Sequence, residues 1–208
     1  MPRHGPVEKR SRRAGVELSL KGARLLAGKS GLRRRPHPPG PRTATRRRAT
    51  ASDHLRQLRE KQKLQWFYGV RAGQLQRYFD ASRREAGSTG AALLRHLEQR
   101  LDNTVYRLGL AGTRAQARQL VGHGHVQVDG TRVDRPSYAV RRGETIAIRP
   151  GSSVEPIVRD ALSLGFQVPA WLSVDHESLS GKVLRDPEPA EVNAPVDVDR
   201  VVEFLTRY

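Results

Sequence analysis

The chain has 208 residues, and its 38 Lys and Arg outnumber its 21 Asp and Glu, which gives a formal net charge of +17 at pH 7. It has no cysteine, which excludes a disulfide framework, thiol catalysis and a zinc site with cysteine ligands. A charge this positive repels itself, and a polyanionic partner would relieve the repulsion. No apolar run approaches the ~18 residues of a membrane span and no signal peptide is visible, so we expect a soluble, cytoplasmic protein.

The net charge changes sign along the chain. Residues 1–50 carry 15 Lys and Arg against two acids, residues 51–150 carry 18 against nine, and residues 151–208 carry five against ten. We therefore expect the N-terminal and middle parts to contact the polyanion. The acidic C-terminal part is expected to face solvent, another protein or the chain's own basic face.

Residues 1–50 predict an extended basic arm and no packed domain. The segment from Pro36 to Pro41 favours an extended backbone, and the arginine runs on either side of it repel each other. A solvated linker and an arm that orders in an RNA groove both fit, and the arginine density favours the arm. Its candidate RNA contacts are Arg33, Arg34, Arg35, Arg46, Arg47 and Arg48.

The segment from Gly22 to Ser30 resembles a phosphate-binding loop. Five residues separate its glycines, however, where the nucleotide loop needs four. We therefore do not predict nucleotide binding.

Residues 52–85 predict a helical segment. Ser52 or Asp53 can cap its start by accepting a backbone N–H, and Leu75, Tyr78 and Phe79 recur at helical spacing. The basic side chains of this segment form a second set of candidate RNA contacts, namely Lys61, Lys63 and Arg77.

Two helices and the bend after them carry the strongest cluster of candidate RNA-binding residues. An apolar stripe from Leu94 to Leu108 predicts one helix over residues 91–109, with polar side chains on another face. Thr113 and Gln116 fit a capping box that starts a helix over residues 114–121. Arginine makes planar contacts to phosphate, and a helix N-terminus favours an anion. The candidates are Arg100, Asn103, Arg107, Thr113, Arg114, Arg118, His123 and His125.

Other interpretations of this cluster are weaker. It could be an ordinary charged helix face, but two aligned arginine pairs favour RNA. His123 and His125 could suggest a metal, but no cysteine exists and no acidic or histidine cluster nearby would complete the ligand set. We predict no metal site, no cofactor and, since no Ser-His-Asp arrangement has local support, no enzymatic activity.

Beyond residue 125 the apolar period changes to two, which indicates strands. Val126 and Val128 precede the tight-turn signal Asp129-Gly130, and Ile146 and Ile148 predict a further strand. A short helix from residue 156 to 164 and a last helix over residues 197–206 follow. The predicted class is α+β. It comprises the arm (1–50), a helical lobe (51–95, completed by 196–208) and a lobe (96–195, motif core 98–160) in which a two-helix RNA-binding motif packs on a small antiparallel sheet.

Several segments resemble the bacterial small-subunit ribosomal protein S4 family. The segment RLDNTVYRLGLAGTRAQARQLVGHGHVQVDG (100–130) resembles its RNA-binding motif, which also occurs in pseudouridine synthases and tyrosyl-tRNA synthetases. The segments RRRPHPPG (33–40), REKQKLQWFYGV (59–70), PSYAVRRGETIAIR (136–149) and VVEFLTRY (201–208) resemble other parts of the ribosomal protein. The resemblance covers nearly the whole chain.

The resemblance implies a primary 16S rRNA-binding protein that nucleates assembly of the subunit body, contacts ribosomal protein S5, lies near the mRNA entry path and contributes to translational accuracy. It assigns the motif role to Arg100, Arg107, Thr113, Arg114, Arg118, His123 and His125. Many members bind zinc through four cysteines in the arm, and the aligned positions here are Glu8, Ser11, Leu25 and Ser30. The chain therefore resembles a zinc-free form whose arm relies on rRNA contacts for order.

Two other functions remain as alternatives. An RNA-modifying enzyme could use the same motif, but no stretch of the chain is left for a catalytic domain. A regulatory RNA- or DNA-binding protein outside the ribosome is the second alternative. Helix-turn-helix DNA readers also pair two helices, but the arm and the hairpin fit shaped RNA better.

Overall fold

The computed structural model describes residues 6–22, 27–40 and 52–207. The chain divides into two units, which we call the helical unit (residues 1–83 and 194–208) and the motif unit (residues 84–193). Helices combined with an antiparallel sheet confirm the predicted α+β class. The predicted RNA contacts Arg46, Arg47 and Arg48, and the position Leu25, lie outside the described residues. Across these residues, no helix has the length and apolarity to span a membrane.

The helical unit contains α1 (Glu8–Ala14), α2 (Gly31–Arg34), α3 (Asp53–Tyr68), α4 (Ala72–Ser82) and α9 (Val198–Arg207). Ser52 caps α3 as predicted, because its hydroxyl accepts the Leu55 N–H at 3.3 Å. Helix α9 packs along α3 and buries one apolar face, made of Val201, Phe204 and Leu205.

Polar contacts fix the register between α3 and α9. Gln57 Nε2 donates to the Glu203 carboxylate at 2.7 Å, and the Asp197 N–H donates to the Glu60 carboxylate at 3.0 Å. These residues are about 140 positions apart in the chain, so the helical unit depends on a contact between distant segments.

The N-terminal segment differs from the extended backbone that the sequence predicts. Helix α1 ends at Gly15, which adopts the left-handed conformation at φ 72°, and Leu18 is fully buried behind it. The Glu8 carboxylate accepts the Gly31 N–H at 2.6 Å, and the Ser30 hydroxyl donates to Glu17 at 2.6 Å. This segment has its own apolar and polar partners, whereas the prolines that favour extension lie at residues 36–41. Residues 35–40 have no helix or strand.

The helices of the motif unit are α5 (Thr89–Glu98), α6 (Leu101–Arg107), α7 (Arg114–Gly122) and α8 (Glu155–Leu162), with a 3₁₀ turn at Pro189–Glu191. The prediction of a single helix over residues 91–109 is wrong, because the helix is interrupted between α5 and α6. At the break the Leu101 N–H donates to the Tyr138 carbonyl at 2.8 Å, and the Val140 N–H donates to the Gln99 carbonyl at 2.8 Å. These hydrogen bonds to residues 138–140 replace the backbone hydrogen bonds of a continuous helix. The apolar stripe continues across the interruption.

The motif unit contains a five-stranded antiparallel sheet of order β2-β1-β3-β5-β4. Its strands are β1 (Val126–Val128), β2 (Thr131–Arg132), β3 (Thr145–Ile148), β4 (Leu172–Asp175) and β5 (Ser180–Val183). The predicted hairpin at Asp129-Gly130 is confirmed, and φ is positive at both turn residues (46° and 77°). The β4–β5 hairpin was not predicted, because its short, Ser-rich strands lack a clear period-two signal. They form by pairing with β3 and by burying Trp171 and Leu172.

The unit boundaries also differ from those that the sequence predicts. Residues 84–95 group with the motif unit, whereas the predicted boundary lies between residues 95 and 96. Helix α5 buries Leu93 and Leu97, and its last residue Glu98 bonds to side chains of α6. These contacts tie the whole of α5 to the helices that follow it.

Gly181 should be required for the packing of β5 against Leu108, the residue that directly follows α6. A Cβ at this position would collide with the Leu108 side chain and lie 2.6 Å from the Ser173 carbonyl oxygen. We expect Gly181→Ala to lower the free energy of unfolding by about 1–3 kcal/mol, the usual cost of overpacking a core. Urea unfolding would measure it. Gly122→Ala is the matched control, because no atom lies within 4 Å of a Cβ there, and equal losses in both variants would contradict the expectation.

Candidate RNA interface

The start of α7 is fixed by the chain's own side chains. The Thr113 hydroxyl accepts the Gln116 N–H at 3.1 Å, so Thr113 is the N-cap that the sequence predicts. The Gln116 side chain accepts the Gly112 N–H at 2.9 Å, one residue before the donor that a capping box would use. One backbone donor of the first helical turn, the Gln116 N–H, is thus engaged within the protein, as is the Gly112 N–H that precedes the helix.

A buried carboxylate, Asp102, holds two of the predicted arginines. Arg100 donates to its two oxygens from Nε at 3.0 Å and from Nη2 at 2.9 Å. Arg118 donates to Asp102 Oδ2 from Nε at 2.8 Å and from Nη2 at 2.6 Å. Arg100 and Asp102 are each only 3% exposed, whereas the Arg118 side chain is 36% exposed. One internal acid therefore anchors a guanidinium that reaches the surface.

A second buried carboxylate, Glu98, binds Arg107 directly and holds Asn103, which in turn binds Arg114. Arg107 binds both of its oxygens, with Nε at 2.8 Å from Oε2 and Nη2 at 2.7 Å from Oε1. Asn103 donates to Glu98 Oε2 at 2.7 Å, and its own Oδ1 accepts from Arg114 Nε at 2.8 Å. The Arg114 guanidinium also lies over the Tyr106 ring, 4.4 Å from its centre. Each guanidinium is thus held in one orientation by hydrogen bonds or ring stacking.

The motif arginines do not form the single exposed face that helical spacing predicts. Arg100 and Asn103 lie inside the motif unit, at 3% and 2% exposure, whereas Arg107, Arg114 and Arg118 are partly exposed. Arg100 precedes α6 and is not part of it, so the predicted shared helix face does not exist. Glu98 and Asp102 were not among the predicted site residues, which were chosen for positive charge and spacing. Their place within two residues of Arg100 was the available signal for internal pairing.

A second basic group lies where α7 turns into β1, and we call it the corner cluster: His123, His125, Arg132 and Arg149. The ring centres of His123 and His125 are 6.2 Å apart, and His125 Nδ1 lies 2.9 Å from the Ser152 hydroxyl oxygen. Burial lowers the pKa of His125 from its ordinary value, and the positive charges of Arg149, His123 and Arg132 lower it further. Arg132 and Arg149 were not predicted as site residues, because in the sequence one belongs to a short strand and the other directly follows a strand.

The basic side chains predicted on the helical unit differ in their surroundings. Arg34, Arg35 and Arg77 are exposed, and Arg33 is exposed with its Nε 3.3 Å from a Glu17 carboxylate oxygen. The remaining two are partly covered, since Lys61 Nζ lies 4.6 Å from the Phe204 ring centre and Lys63 Nζ lies 2.6 Å from a Glu60 oxygen.

A search of residues 6–22, 27–40 and 52–207 finds no group of three or more His, Asp, Glu or Cys side chains that could hold a metal ion. His123 and His125 are surrounded by cations, which would disfavour a metal ion there.

The chain matches two described protein families that adjoin each other. The family described as "S4 domain" matches residues 99–146, and the family described as "Ribosomal protein S4/S9 N-terminal domain" matches residues 2–98. The break between them falls at the start of the segment that contains the buried acid–arginine pairs around Asp102.

Relatives match over almost the whole chain. The small ribosomal subunit protein uS4A of Symbiobacterium thermophilum is 46% identical over 204 residues, which is 98% of both chains. The proteins named uS4 of Natranaerobius thermophilus and Thermus thermophilus are 44% and 46% identical, again over 98% of both chains. The chain therefore belongs to the uS4 family of small ribosomal subunit proteins.

Proposed function

We propose that this protein binds 16S rRNA early in the assembly of the small ribosomal subunit, nucleates the folding of the subunit body and contributes to translational accuracy in the cytoplasm. The observation that carries the proposal is the pair of buried carboxylates, Glu98 and Asp102, around which Arg107, Arg114 and Arg118 are held partly exposed. Guanidinium groups fixed before binding lose little conformational entropy when they meet phosphates.

The prediction that the chain is not an enzyme is confirmed by its membership of a family of structural ribosomal proteins. Ribosomal and RNA-binding roles follow from the same membership. The specific steps of assembly and accuracy remain proposals, supported by the resemblance and by the excess of positive charge in residues 1–150.

Within this function the predicted site residues take two roles. Arg107, Arg114 and Arg118 contact RNA, helped by Thr113, His123 and His125. Arg100 and Asn103 are positioning residues, because they are buried and bind Asp102 and Glu98 respectively. A second set of RNA contacts is made by basic residues of the helical unit. The exposed residues contribute most, and they are Arg33, Arg34, Arg35 and Arg77, whereas Lys61 and Lys63 contribute less.

The proposed protein partners are neighbouring small-subunit proteins, including ribosomal protein S5, and the mRNA near its entry path. The acidic residues 151–208, with ten Asp and Glu against five Lys and Arg, support a protein contact in preference to an RNA contact. Exposed Ile157 and Leu184 in this region, at 50% and 46% exposure, offer apolar surface for it.

Sedimentation through a sucrose gradient tests the ribosomal assignment. We expect the epitope-tagged chain to travel with small subunits at low salt and to remain there through a moderate salt wash, because its arginines bind rRNA phosphates. A tagged variant of the same size with Glu98→Gln and Asp102→Asn should be depleted from that fraction. Wild-type protein that stays at the top of the gradient would support a regulatory RNA-binding protein outside the ribosome instead.

A further inference from the structure

We propose that the corner cluster, His123, His125, Arg132 and Arg149, binds a phosphate of the RNA backbone and takes up a proton when it does so. The inference rests on the proposed RNA-binding function and adds a second anion site to it. Neither Arg132 nor Arg149 belongs to the two-helix motif, because Arg132 lies on β2 and Arg149 directly follows β3.

The four side chains converge from separate elements. Arg132 lies across Gly124, so closely that a Cβ on Gly124 would collide with its guanidinium. The Arg149 N–H donates to the His125 carbonyl at 2.8 Å, which places Arg149 beside the same turn. From the loop before α8, Ser152 adds a hydroxyl 2.9 Å from His125 Nδ1. Two loops and strand β2 thus bring donors together, and the missing side chain of Gly124 leaves room for the Arg132 guanidinium to lie across the turn.

The charged groups that shift the pKa of His125 all act in the same direction. The carboxylate of Glu155, at the start of α8, accepts the Gly151 N–H at 2.8 Å and is not among them. The charged groups that act on His125 are Arg149, His123 and Arg132, and each of them lowers its pKa, as does burial. The motif arginines contrast with this, because Arg107 and Arg118 are each paired with a buried acid. Within the described part of the chain no carboxylate forms an ion pair with Arg132 or Arg149, so an incoming phosphate would supply a counter-charge to the corner cluster.

Proton uptake follows from the place of His125 in the cluster, where its Nδ1 lies 2.9 Å from the Ser152 hydroxyl oxygen and its carbonyl accepts the Arg149 backbone N–H. The lowered pKa of His125 agrees with this, because it favours the neutral imidazole in the free protein. A phosphate placed beside it stabilises the imidazolium and raises the pKa in the complex. A group with a higher pKa in the complex strengthens binding as the pH falls through the window between the two pKa values. Affinity should therefore rise as the solution is made more acidic, by up to about tenfold per pH unit for one linked proton.

The experiment is filter binding of the full chain to a 16S rRNA transcript between pH 6 and pH 8, at constant ionic strength. The Arg132→Gln, Arg149→Gln double variant should bind more weakly, with a salt slope shallower by about 0.7–0.9 for each lost phosphate contact. Arg141→Gln, Arg142→Gln is the matched control, because it removes the same number of positive charges from exposed arginines of the same unit outside the cluster. This control should change the salt slope of RNA affinity by less, and its affinity should depend on pH as that of the wild type does.

The uptake of a proton by His125 is tested separately. His125→Asn retains a polar atom for Ser152 but cannot titrate, so its affinity should vary less with pH than that of the wild type on the same RNA. Histidine NMR should show a His125 pKa below 6.5 in the free protein, raised by the transcript and raised less by inorganic phosphate. A larger response to inorganic phosphate than to RNA would identify a free-phosphate site and overturn the RNA assignment.

The outcomes separate this inference from the proposed function. Salt-dependent RNA binding with the same pH dependence in wild type and His125→Asn would overturn the proton uptake and leave the RNA-binding function standing. Equal losses in the Arg132→Gln, Arg149→Gln and the Arg141→Gln, Arg142→Gln double variants would overturn the phosphate site. Loss of RNA binding in the wild type under all conditions would overturn the proposed function and this inference with it.

Discussion

Asp102→Asn should lower the free energy of unfolding of the motif unit by about 3–5 kcal/mol, the usual cost of removing one partner from a buried ion pair. The carboxylate is the counter-charge of Arg100, which is 3% exposed and cannot recover its hydration without a rearrangement. It also holds the Nε and Nη2 of Arg118. Because whole domains are stable by only about 5–15 kcal/mol, a loss of this size removes a large part of the stability of the unit.

Urea unfolding in a Trp66→Phe background would measure this loss. Trp66 and Trp171 are the two tryptophans of the chain, and Trp171 is buried in the core of the motif unit. Its fluorescence therefore reports on that unit alone. Asp134→Asn makes the same change of charge at an exposed position and should stay within about 0.5 kcal/mol of the parent. An Asp102→Asn protein as stable as Asp134→Asn would show that the buried pair contributes nothing.

The Arg114→Ala, Arg118→Ala double variant should have the largest effect on RNA binding. Both side chains are partly exposed and are held in fixed orientations, by Asn103 and Tyr106 in one case and by Asp102 in the other. Each lost phosphate contact should make the slope of log affinity against log salt shallower by about 0.7–0.9. The measurement is filter binding to a 16S rRNA fragment across a range of salt concentrations.

Two controls separate charge, geometry and folding in this double variant. Arg141→Ala, Arg142→Ala removes the same charge from exposed positions of the motif unit, and it should weaken binding less. Arg114→Lys, Arg118→Lys keeps the charge but loses the planar fork, and it should restore part of the salt slope and only part of the affinity. Unchanged affinity after the two alanine substitutions, with Trp171 fluorescence still native, would remove these arginines from the interface.

Local signals in the sequence predicted much of the fold. Ser52 and Thr113 cap the helices that they were expected to cap, and Asp129-Gly130 makes the expected two-residue turn. These features depend on neighbours within a few residues, so the sequence contains all the information that they need. The break before Leu101 depends instead on carbonyl groups of residues 136–138, and nothing local to the break indicates it.

The candidate site could be predicted in outline but not in its pairing. Charge and spacing indicated the correct region, because arginines cluster between residues 100 and 118. They could not show that Arg100 points inward, since an exposed guanidinium and one neutralised by a buried acid look alike in a sequence. Glu8 and Ser30, two positions where the family resemblance implied zinc ligands in other members, form hydrogen bonds to Gly31 and Glu17. That segment was expected to rely on rRNA alone for its order.

The pairing of α9 with α3 bears on the order in which the nascent chain folds. Every residue of the motif unit lies between these two helices in the sequence, so the motif unit is synthesised in full before α9 exists. Until then α3 lacks the partner that supplies Phe204 to Lys61 and Glu203 to Gln57. During translation the motif unit can therefore fold before the helical unit, whose last helix is synthesised at the end.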